Sequence, residues 1–149
     1  EKLLVTIETG NGISYTLKHD GDLLLDKSEI GMYMTDGTVF GGYLNVKKAS
    51  TRTVSETIKA IMYKKAEIKD EFNELTLKFK DFSLIFRAYD DGMAYRFISH
   101  LKKPFKVSDE MALFNFAEDW KMWALGRGNR KEPRHQARRP EAACWILRC

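Results

Sequence analysis

The chain has 149 residues, of which 44% are hydrophobic and 12% aromatic, so we expect one ordinary domain with a packed core and not a disordered segment. No run approaches the ~20 consecutive apolar residues that a membrane-spanning helix needs. The formal charge of +4 comes from residues 124–149, which carry seven basic and two acidic side chains. Residues 1–123 are therefore close to neutral, and the charge gives no reason to expect a nucleic-acid partner.

The first residues of the chain and the positions of its cysteines are two features that can indicate the cellular compartment of a protein. Residues 1–5 have the pattern of a strand and not of an apolar secretion segment, so we expect either no signal peptide or a mature or trimmed sequence. Both cysteines, Cys144 and Cys149, lie near the C-terminus. Residues 1–123 therefore contain neither a disulfide framework nor a thiolate metal site, and the redox compartment stays open.

The first 37 residues predict four short strands separated by clusters of Gly, Asp and Asn. The predicted strands are residues 3–7, 13–17, 23–25 and 30–34, and the predicted turns are residues 10–12, 19–22 and 35–37. Turn signals about every ten residues are typical of an all-β sandwich or barrel.

Residues 52–63 fit two kinds of structure. Ile58, Ile61 and Met62 recur at helical spacing, whereas the β-branched residues between 51 and 57 favour a strand. We predict a strand here, with a helical stretch as the alternative.

Residues 73–98 predict a three-strand meander, which is the clearest pattern in the chain. In residues 73–79, apolar and polar side chains alternate, as in a strand with one buried face. A second strand follows at 82–89, and a third at 93–98, in which Met93, Tyr95 and Phe97 share a face. Residues 106–107 and 111–116 add one or two further strands.

The composition changes after Trp123. Six of the nine arginines, two of the three prolines and both cysteines fall in residues 124–149. We therefore divide the chain into an all-β antiparallel sandwich at 1–123 and a basic, Arg-rich tail at 124–149, which is disordered or non-native.

One sequence element is specific enough to indicate a family. Residues 86–97 read F-R-A-Y-D-D-G-M-A-Y-R-F. This run resembles the F-R-A-Y-(N/D)-D-G-(V/L)-A-F-R-Y element in the N-terminal domain of family 97 glycoside hydrolases. Weaker resemblances occur in the family's order at residues 13–17, 28–32, 71–77, 109–116 and 120–123. At residues 63–65 the chain has Tyr-Lys-Lys where the family usually has a glycine before a basic turn.

The resemblance implies a fold and a role. The fold would be an antiparallel β-sandwich like the supersandwich of galactose mutarotase-like domains, here incomplete. In the family this domain packs on a (β/α)₈ barrel that carries the catalytic carboxylates, acts on α-glucosidic or α-galactosidic linkages and holds calcium near the reaction centre. The chain would then be the non-catalytic N-terminal domain of an exo-acting α-glycosidase, inactive alone, from a protein that a bacterium keeps in its periplasm or secretes.

An alternative function is a stand-alone carbohydrate-binding or adhesion β-sandwich module. The two interpretations differ in their expected solution behaviour. A domain without its barrel would expose an apolar sheet face and self-associate, whereas a complete module would be a monomer that binds glycans. Neither interpretation includes a nucleic-acid partner or a membrane span.

Hydrolysis of a glycosidic bond needs two carboxyl groups at a defined separation. The nominal candidates are Glu71, Glu74, Asp90, Asp91, Asp109 and Glu110. Asp90, Asp91 and Gly92 predict a hairpin turn, because these residues suit its backbone angles. For Glu74 we predict a structural ion pair with Arg87 or Arg96. No catalytic or carbohydrate-binding residue is assigned.

The remaining arginines and the aromatic residues also favour structural roles. Arg87 and Arg96 lie within predicted strands, where an arginine needs a carboxylate, a backbone acceptor or solvent. Trp120 and Trp123 are three residues apart and would point to opposite faces of a strand, so they do not predict one flat platform for a sugar.

No residue set predicts a metal site. His19, His100 and His135 are far apart and lack metal-ligand spacing. In the family, one calcium-coordinating glutamate follows the aromatic stretch at a short distance, and Glu132 lies at a comparable distance after Trp123. Its neighbours are Arg130, Lys131, Pro133 and Arg134, which do not match the family, so the role is not transferred to Glu132.

Overall fold

The computed structural model describes residues 3–43, 45–59, 66–118 and 145–148. Every regular element in these ranges is a β-strand. In chain order they are β1 (Leu3–Thr9), β2 (Ile13–His19), β3 (Asp22–Met34), β4 (Val39–Phe40), β5 (Lys48–Lys59), β6 (Glu67–Lys78), β7 (Phe82–Ala88), β8 (Gly92–Ser99), β9 (Val107–Ala112), β10 (Asn115–Phe116) and β11 (Trp145–Arg148).

The described strands form one six-stranded and one five-stranded sheet, in two compact units. All pairings with a determined register are antiparallel, so the predicted all-β antiparallel class is confirmed. No helix within the described ranges is long and apolar enough to cross a membrane.

The six-stranded sheet is organised around β3. This strand pairs with β2, β4, β9 and β10, and its alternating side chains Ile30, Met32 and Met34 are buried. The sequence predicted two strands, at residues 23–25 and 30–34, and this was wrong because β3 is continuous over 13 residues. The middle of β3 stays extended because β2 and β10 both pair with it there. The register between β2 and β3 shifts on both sides of Leu17, as it does at a β-bulge.

The three predicted turns in this part of the chain are confirmed. Asp20 and Gly21 have φ angles of 50° and 99° and connect β2 to β3. Gly10 and Gly12 also have positive φ, and the Gly37 N–H donates to the Met34 carbonyl at 3.1 Å. Gly and Asp tolerate these angles better than most residues, which is why their positions predicted the turns.

Gly41 holds the chain after β4 close against β3. Its φ is +115°, and a Cβ atom at this position would lie 2.7 Å from the carbonyl oxygen of Ile30. Only glycine satisfies both conditions. From the sequence, Gly41 and Gly42 indicated only a break in regular structure. The structure shows why glycine is needed at position 41, where two backbones approach each other closely.

The five-stranded sheet has the order β11-β8-β7-β6-β5 and contains the predicted meander. Strand β7 lies between β6 and β8, and its first five residues are all buried. Phe86 contacts Tyr95 with ring centroids 5.8 Å apart, and Tyr95 contacts Phe97 at 6.3 Å. Met93, Tyr95 and Phe97 therefore share a face, as predicted.

The strand predicted over residues 52–63 is confirmed up to Lys59, and residues 60–63 lie outside the described ranges. Strands β5 and β6 form a hairpin with twelve consecutive pairs and no shift of register. Only the half of β6 from Asn73 onward also pairs with β7. The other half of the hairpin therefore extends past β7.

Most of the predicted tail, residues 124–149, lies outside the described ranges. The exception is β11, whose four residues pair with Gly92–Tyr95 of β8. This strand was not predicted from the sequence, because the apolar run Cys144–Leu147 is too short to show a periodicity and gains order only from an existing sheet edge. The boundary at residue 123 stays a prediction.

We expect Gly41→Ala to lower the free energy of unfolding by about 1–3 kcal/mol, because the added Cβ meets the Ile30 carbonyl and the backbone angle is strained. Gly42→Ala is the matched control. A Cβ there would have Val39 as a neighbour at 4.0 Å, so we expect a change within about 0.5 kcal/mol. Urea unfolding of both variants measures the difference, and equal stabilities would contradict the close approach.

Candidate functional site

Three charged side chains form a row across the five-stranded sheet. Arg52 on β5 lies opposite Glu74 on β6, and Glu74 lies opposite Arg87 on β7. Directly opposed residues of an antiparallel sheet project to the same side, with Cβ atoms about 5 Å apart. The register of the three strands therefore places one carboxylate between two guanidinium groups.

Both carboxylate oxygens of Glu74 accept hydrogen bonds from this row. Arg52 Nε donates to Oε1 at 2.6 Å, and Arg52 Nη2 donates to Oε2 at 3.0 Å. Arg87 Nε also donates to Oε2, at 2.8 Å. The Glu74 side chain is only 5% exposed, so a buried charge is here fully paired, as a low-dielectric environment requires.

An aromatic pair supports Arg87. Its guanidinium carbon lies 4.2 Å from the centroid of the Phe72 ring, within the range of a cation–π contact. Phe72 in turn packs against Tyr89, with centroids 5.4 Å apart. The side chain of Arg87 is 29% exposed and that of Arg52 is 60% exposed. Glu74 is therefore bound by a half-buried arginine on β7 and by an exposed arginine on β5.

The electrostatics of the row exclude acid catalysis by Glu74. Hydrogen bonds from Arg52, and then from Arg87, hold the pKa of Glu74 below its ordinary value although burial opposes them. Burial alone would lower the pKa of Arg87, but hydrogen bonds with Glu74 and Tyr89 raise it. A general acid must carry a proton near neutral pH, and Glu74 is ionised there. Because both its oxygens are bonded and buried, the carboxylate is a structural element.

Four of the five other candidate carboxylates lie in a turn or accept a local hydrogen bond, and the fifth, Glu110, is buried on β9. Asp90 and Asp91 lie in the β7–β8 turn, which closes through the Tyr89 N–H donating to the Gly92 carbonyl at 2.8 Å. The turn predicted there is confirmed. Glu71 accepts a hydrogen bond from the Ser55 hydroxyl at 3.0 Å, and Asp109 accepts one from the backbone N–H of Glu110 at 3.0 Å.

The predicted ion pair of Glu74 with Arg87 or Arg96 is confirmed, and of these two arginines Arg87 is the partner. Arg96 is an exposed residue of β8 and lies opposite Ile85 on β7. Strand β7 therefore separates it from Glu74 on β6. The second partner of Glu74, Arg52, was not predicted from the sequence. Arg52 is a partner because the register of β5 and β6 places it opposite Glu74. This register could not be predicted, because the sequence of residues 60–66 does not show where the chain reverses between the two strands.

The histidines do not form a metal site in the described part of the chain. His19 Nδ1 lies 3.9 Å from the carboxylate of Asp20, and His100 Nε2 lies 2.8 Å from the Ser83 hydroxyl. The described ranges contain no group of three or more His, Cys, Asp or Glu residues that could hold a metal ion. The positions of Trp120, Trp123, Glu132, His135, Cys144 and Cys149 fall outside them.

A depression lies beside β3. Its lining includes Gly31, Tyr33, Val39, Gly41 and Met111. Its cavity volume is about 220 Å³, below the ~300–1,000 Å³ of pockets for drug-sized ligands. This depression therefore does not have the size of an oligosaccharide site.

The predicted family resemblance is confirmed by comparison with known proteins. The family described as "Glycosyl-hydrolase 97 N-terminal" matches residues 1–143, which extends past residue 123. A retaining alpha-galactosidase of Bacteroides thetaiotaomicron is 38% identical over 118 residues, which are 78% of this chain and 18% of that protein.

Solved structures show the same fold. A β-arabinopyranosidase matches with a TM-score of 0.66 and 23% identity, covering 78% of this chain and 20% of that one. A family 97 glycoside hydrolase from Pseudoalteromonas sp. strain K8, in complex with acarbose, matches with a TM-score of 0.68 and 16% identity, covering 78% and 19%. The chain thus spans about a fifth of the length of these relatives.

We expect Glu74→Gln to lower the free energy of unfolding at neutral pH by about 1–3 kcal/mol, because it removes the charge that both arginines bind while keeping the shape. Glu71→Gln on the same strand is the control, and its exposed side chain should change stability by less than about 0.5 kcal/mol. Thermal and urea unfolding measure both variants.

The pH dependence gives an independent test of the same row. Because the pKa of Glu74 is lower in the folded state, its stabilisation is present above the ordinary value of 4.5 and is lost as the pH falls through the folded value. The difference in stability between the parent chain and Glu74→Gln should therefore shrink on acidification. A difference that stays constant down to the acid-unfolding range would show that the ion pairs do not stabilise the fold.

Proposed function

The chain belongs to the family of glycosyl-hydrolase 97 N-terminal domains, and from this membership we propose that it is the non-catalytic N-terminal domain of an exo-acting α-glycosidase. In the complete enzyme it packs on a (β/α)₈ catalytic domain and helps to shape the substrate site. The observation that carries the proposal is the extent of the match. A chain that aligns over 78% of its own length covers only 18% of a retaining alpha-galactosidase.

The described carboxylates support a non-catalytic role. A glycosidase needs one carboxyl group that donates a proton and a second that attacks or activates water, both open to the substrate. Glu74 is buried and bound on both oxygens, while Asp90 and Asp91 belong to a turn. We therefore place the reacting carboxylates in the catalytic domain.

For the substrate class we favour α-galactosides over α-glucosides. The relative at 38% identity is a retaining alpha-galactosidase. The enzyme whose structures contain panose and acarbose is 16% identical, and at that level the likeness supports a shared fold alone. The sequence similarity thus supports a retaining enzyme that removes a terminal α-galactosyl unit.

Calcium and a periplasmic or secreted location complete the proposal, and both come from the family resemblance. The described residues do not fit a calcium site, since they contain no group of three possible ligands. Calcium in the complete enzyme would therefore need ligands from outside these residues.

Activity assays test the proposal. We expect this chain alone to leave nitrophenyl α-galactoside and nitrophenyl α-glucoside unhydrolysed with or without calcium, because it corresponds to the N-terminal domain and not to the catalytic domain in which we place the reacting carboxyl groups. The complete polypeptide encoded with this domain should hydrolyse the galactoside faster than the glucoside.

Removal of residues 1–143 from that polypeptide is the matched comparison, and we expect it to abolish or strongly reduce turnover. Calcium-dependent turnover by the isolated chain would refute the proposal. Saturable binding of glycans by the isolated chain in calorimetry, together with full activity after the deletion, would support a stand-alone binding module instead.

A further inference from the structure

Strand β5 forms an open edge of the five-stranded sheet. In the described part of the chain it pairs with β6 alone, and eleven of its twelve residues are exposed, with Val54 half-buried. Its pairing with β6 has no bulge and it contains no proline. Such an edge presents a straight row of N–H and C=O groups, which is a template for pairing with another strand.

Arg52 and Glu56 are the two charged residues near the centre of this edge, and Glu56, after Glu74, contributes to raising the pKa of Arg52 within the chain. Arg52 uses Nε and Nη2 for Glu74, which leaves Nη1 without a hydrogen bond among the described residues, and its side chain is 60% exposed. Glu56, four residues further along the same face, lies opposite Asp70 on β6. Like charges directly opposite each other are destabilising, so a cation next to Glu56 would stabilise the hairpin.

We propose that β5 pairs antiparallel with β5 of a second copy of this chain, in a two-fold symmetric register centred on Val54. In this register, Arg52 of each copy lies opposite Glu56 of the other. The row of alternating charge that runs through Arg87, Glu74 and Arg52 then continues into Glu56 of the second copy.

The rest of the edge is compatible with this register. On the opposite face, Thr51 lies across from Thr57, and Thr53 across from Ser55, which are pairs that suit neighbouring strands. A register centred on Arg52 or Glu56 would instead place like charges opposite each other. Registers centred on Thr53 or Ser55 would place Arg52 and Glu56 opposite uncharged residues.

The association expected from the sequence was through an exposed apolar sheet face, whereas the dimer proposed here forms through a strand edge. The edge of β5 is polar, and its specificity comes from backbone pairing and from the order of its charges. Because exposed ion pairs are screened by salt, the association should weaken as ionic strength rises.

Sedimentation equilibrium of the 149-residue chain over a range of concentrations tests the dimer. We expect a concentration-dependent doubling of mass, and Glu56→Lys should weaken the dimer at least about tenfold because it places two cations opposite each other. Glu29→Lys is the matched control, since Glu29 is equally exposed but lies on β3, and it should leave the dissociation constant unchanged. Circular dichroism establishes that both variants fold.

Cysteine cross-linking tests the register. In a background with Cys144→Ser and Cys149→Ser, Val54→Cys brings two thiols opposite each other, with Cβ atoms about 5 Å apart, and mild oxidation should give a covalent dimer. Ile58→Cys, on the same face of the same edge, places its thiols far apart and should not cross-link.

The outcomes are distinguishable. Doubling of mass, sensitivity to Glu56→Lys and cross-linking through Val54→Cys together support the proposal. A monomer at every concentration, a dimer indifferent to Glu56→Lys, or cross-linking at Ile58→Cys but not at Val54→Cys would each overturn it. None of these results depends on the enzymatic activity of the complete protein.

Discussion

Within the five-stranded sheet, burial of the Glu74 carboxylate is the constraint on which the arrangement of strands depends. An ionised carboxylate that is 5% exposed is tolerated only with full hydrogen bonding, and here the donors come from strands on both sides. A slip of one residue in β5 or β7 would move its arginine to the other face and leave the charge buried without that partner. The row of Arg52, Glu74 and Arg87 therefore selects one register for β5, β6 and β7. Aromatic packing alone would specify this register less strictly.

The six-stranded sheet depends on a different kind of constraint. Strand β3 has neighbours along both flanks, and the chain after β4 approaches it so closely that residue 41 must lack a side chain. In this sheet, close contact between two backbone segments fixes the position of the chain after β4 against β3. In the five-stranded sheet, ion pairs fix the register of the strands. In both sheets, a residue that looks unremarkable in the sequence carries the constraint.

These constraints bear on function because they use the polar residues that catalysis would need. Among the carboxylates singled out from the sequence, Glu74, Glu71 and Asp109 are bonded to arginines, a hydroxyl or a backbone N–H group, and Asp90 and Asp91 lie in a turn. Such a domain contributes shape and surface to an enzyme whose reacting groups lie elsewhere. The open edge of β5 continues the same row of charges, so one set of residues both fixes the sheet and offers a surface for a second copy.

The sequence by itself determined the class of fold, the meander of residues 73–98, most turns and the family. These follow from local causes: alternation of side chains marks strands, Gly and Asp mark turns, and residues 86–97 are specific in composition and order. The tertiary structure alone decided that β3 is one strand, that Arg52 joins Arg87 around Glu74 and that Gly41 is irreplaceable. Each of these depends on which residues lie opposite each other across strands distant in the chain, and no local pattern contains that register.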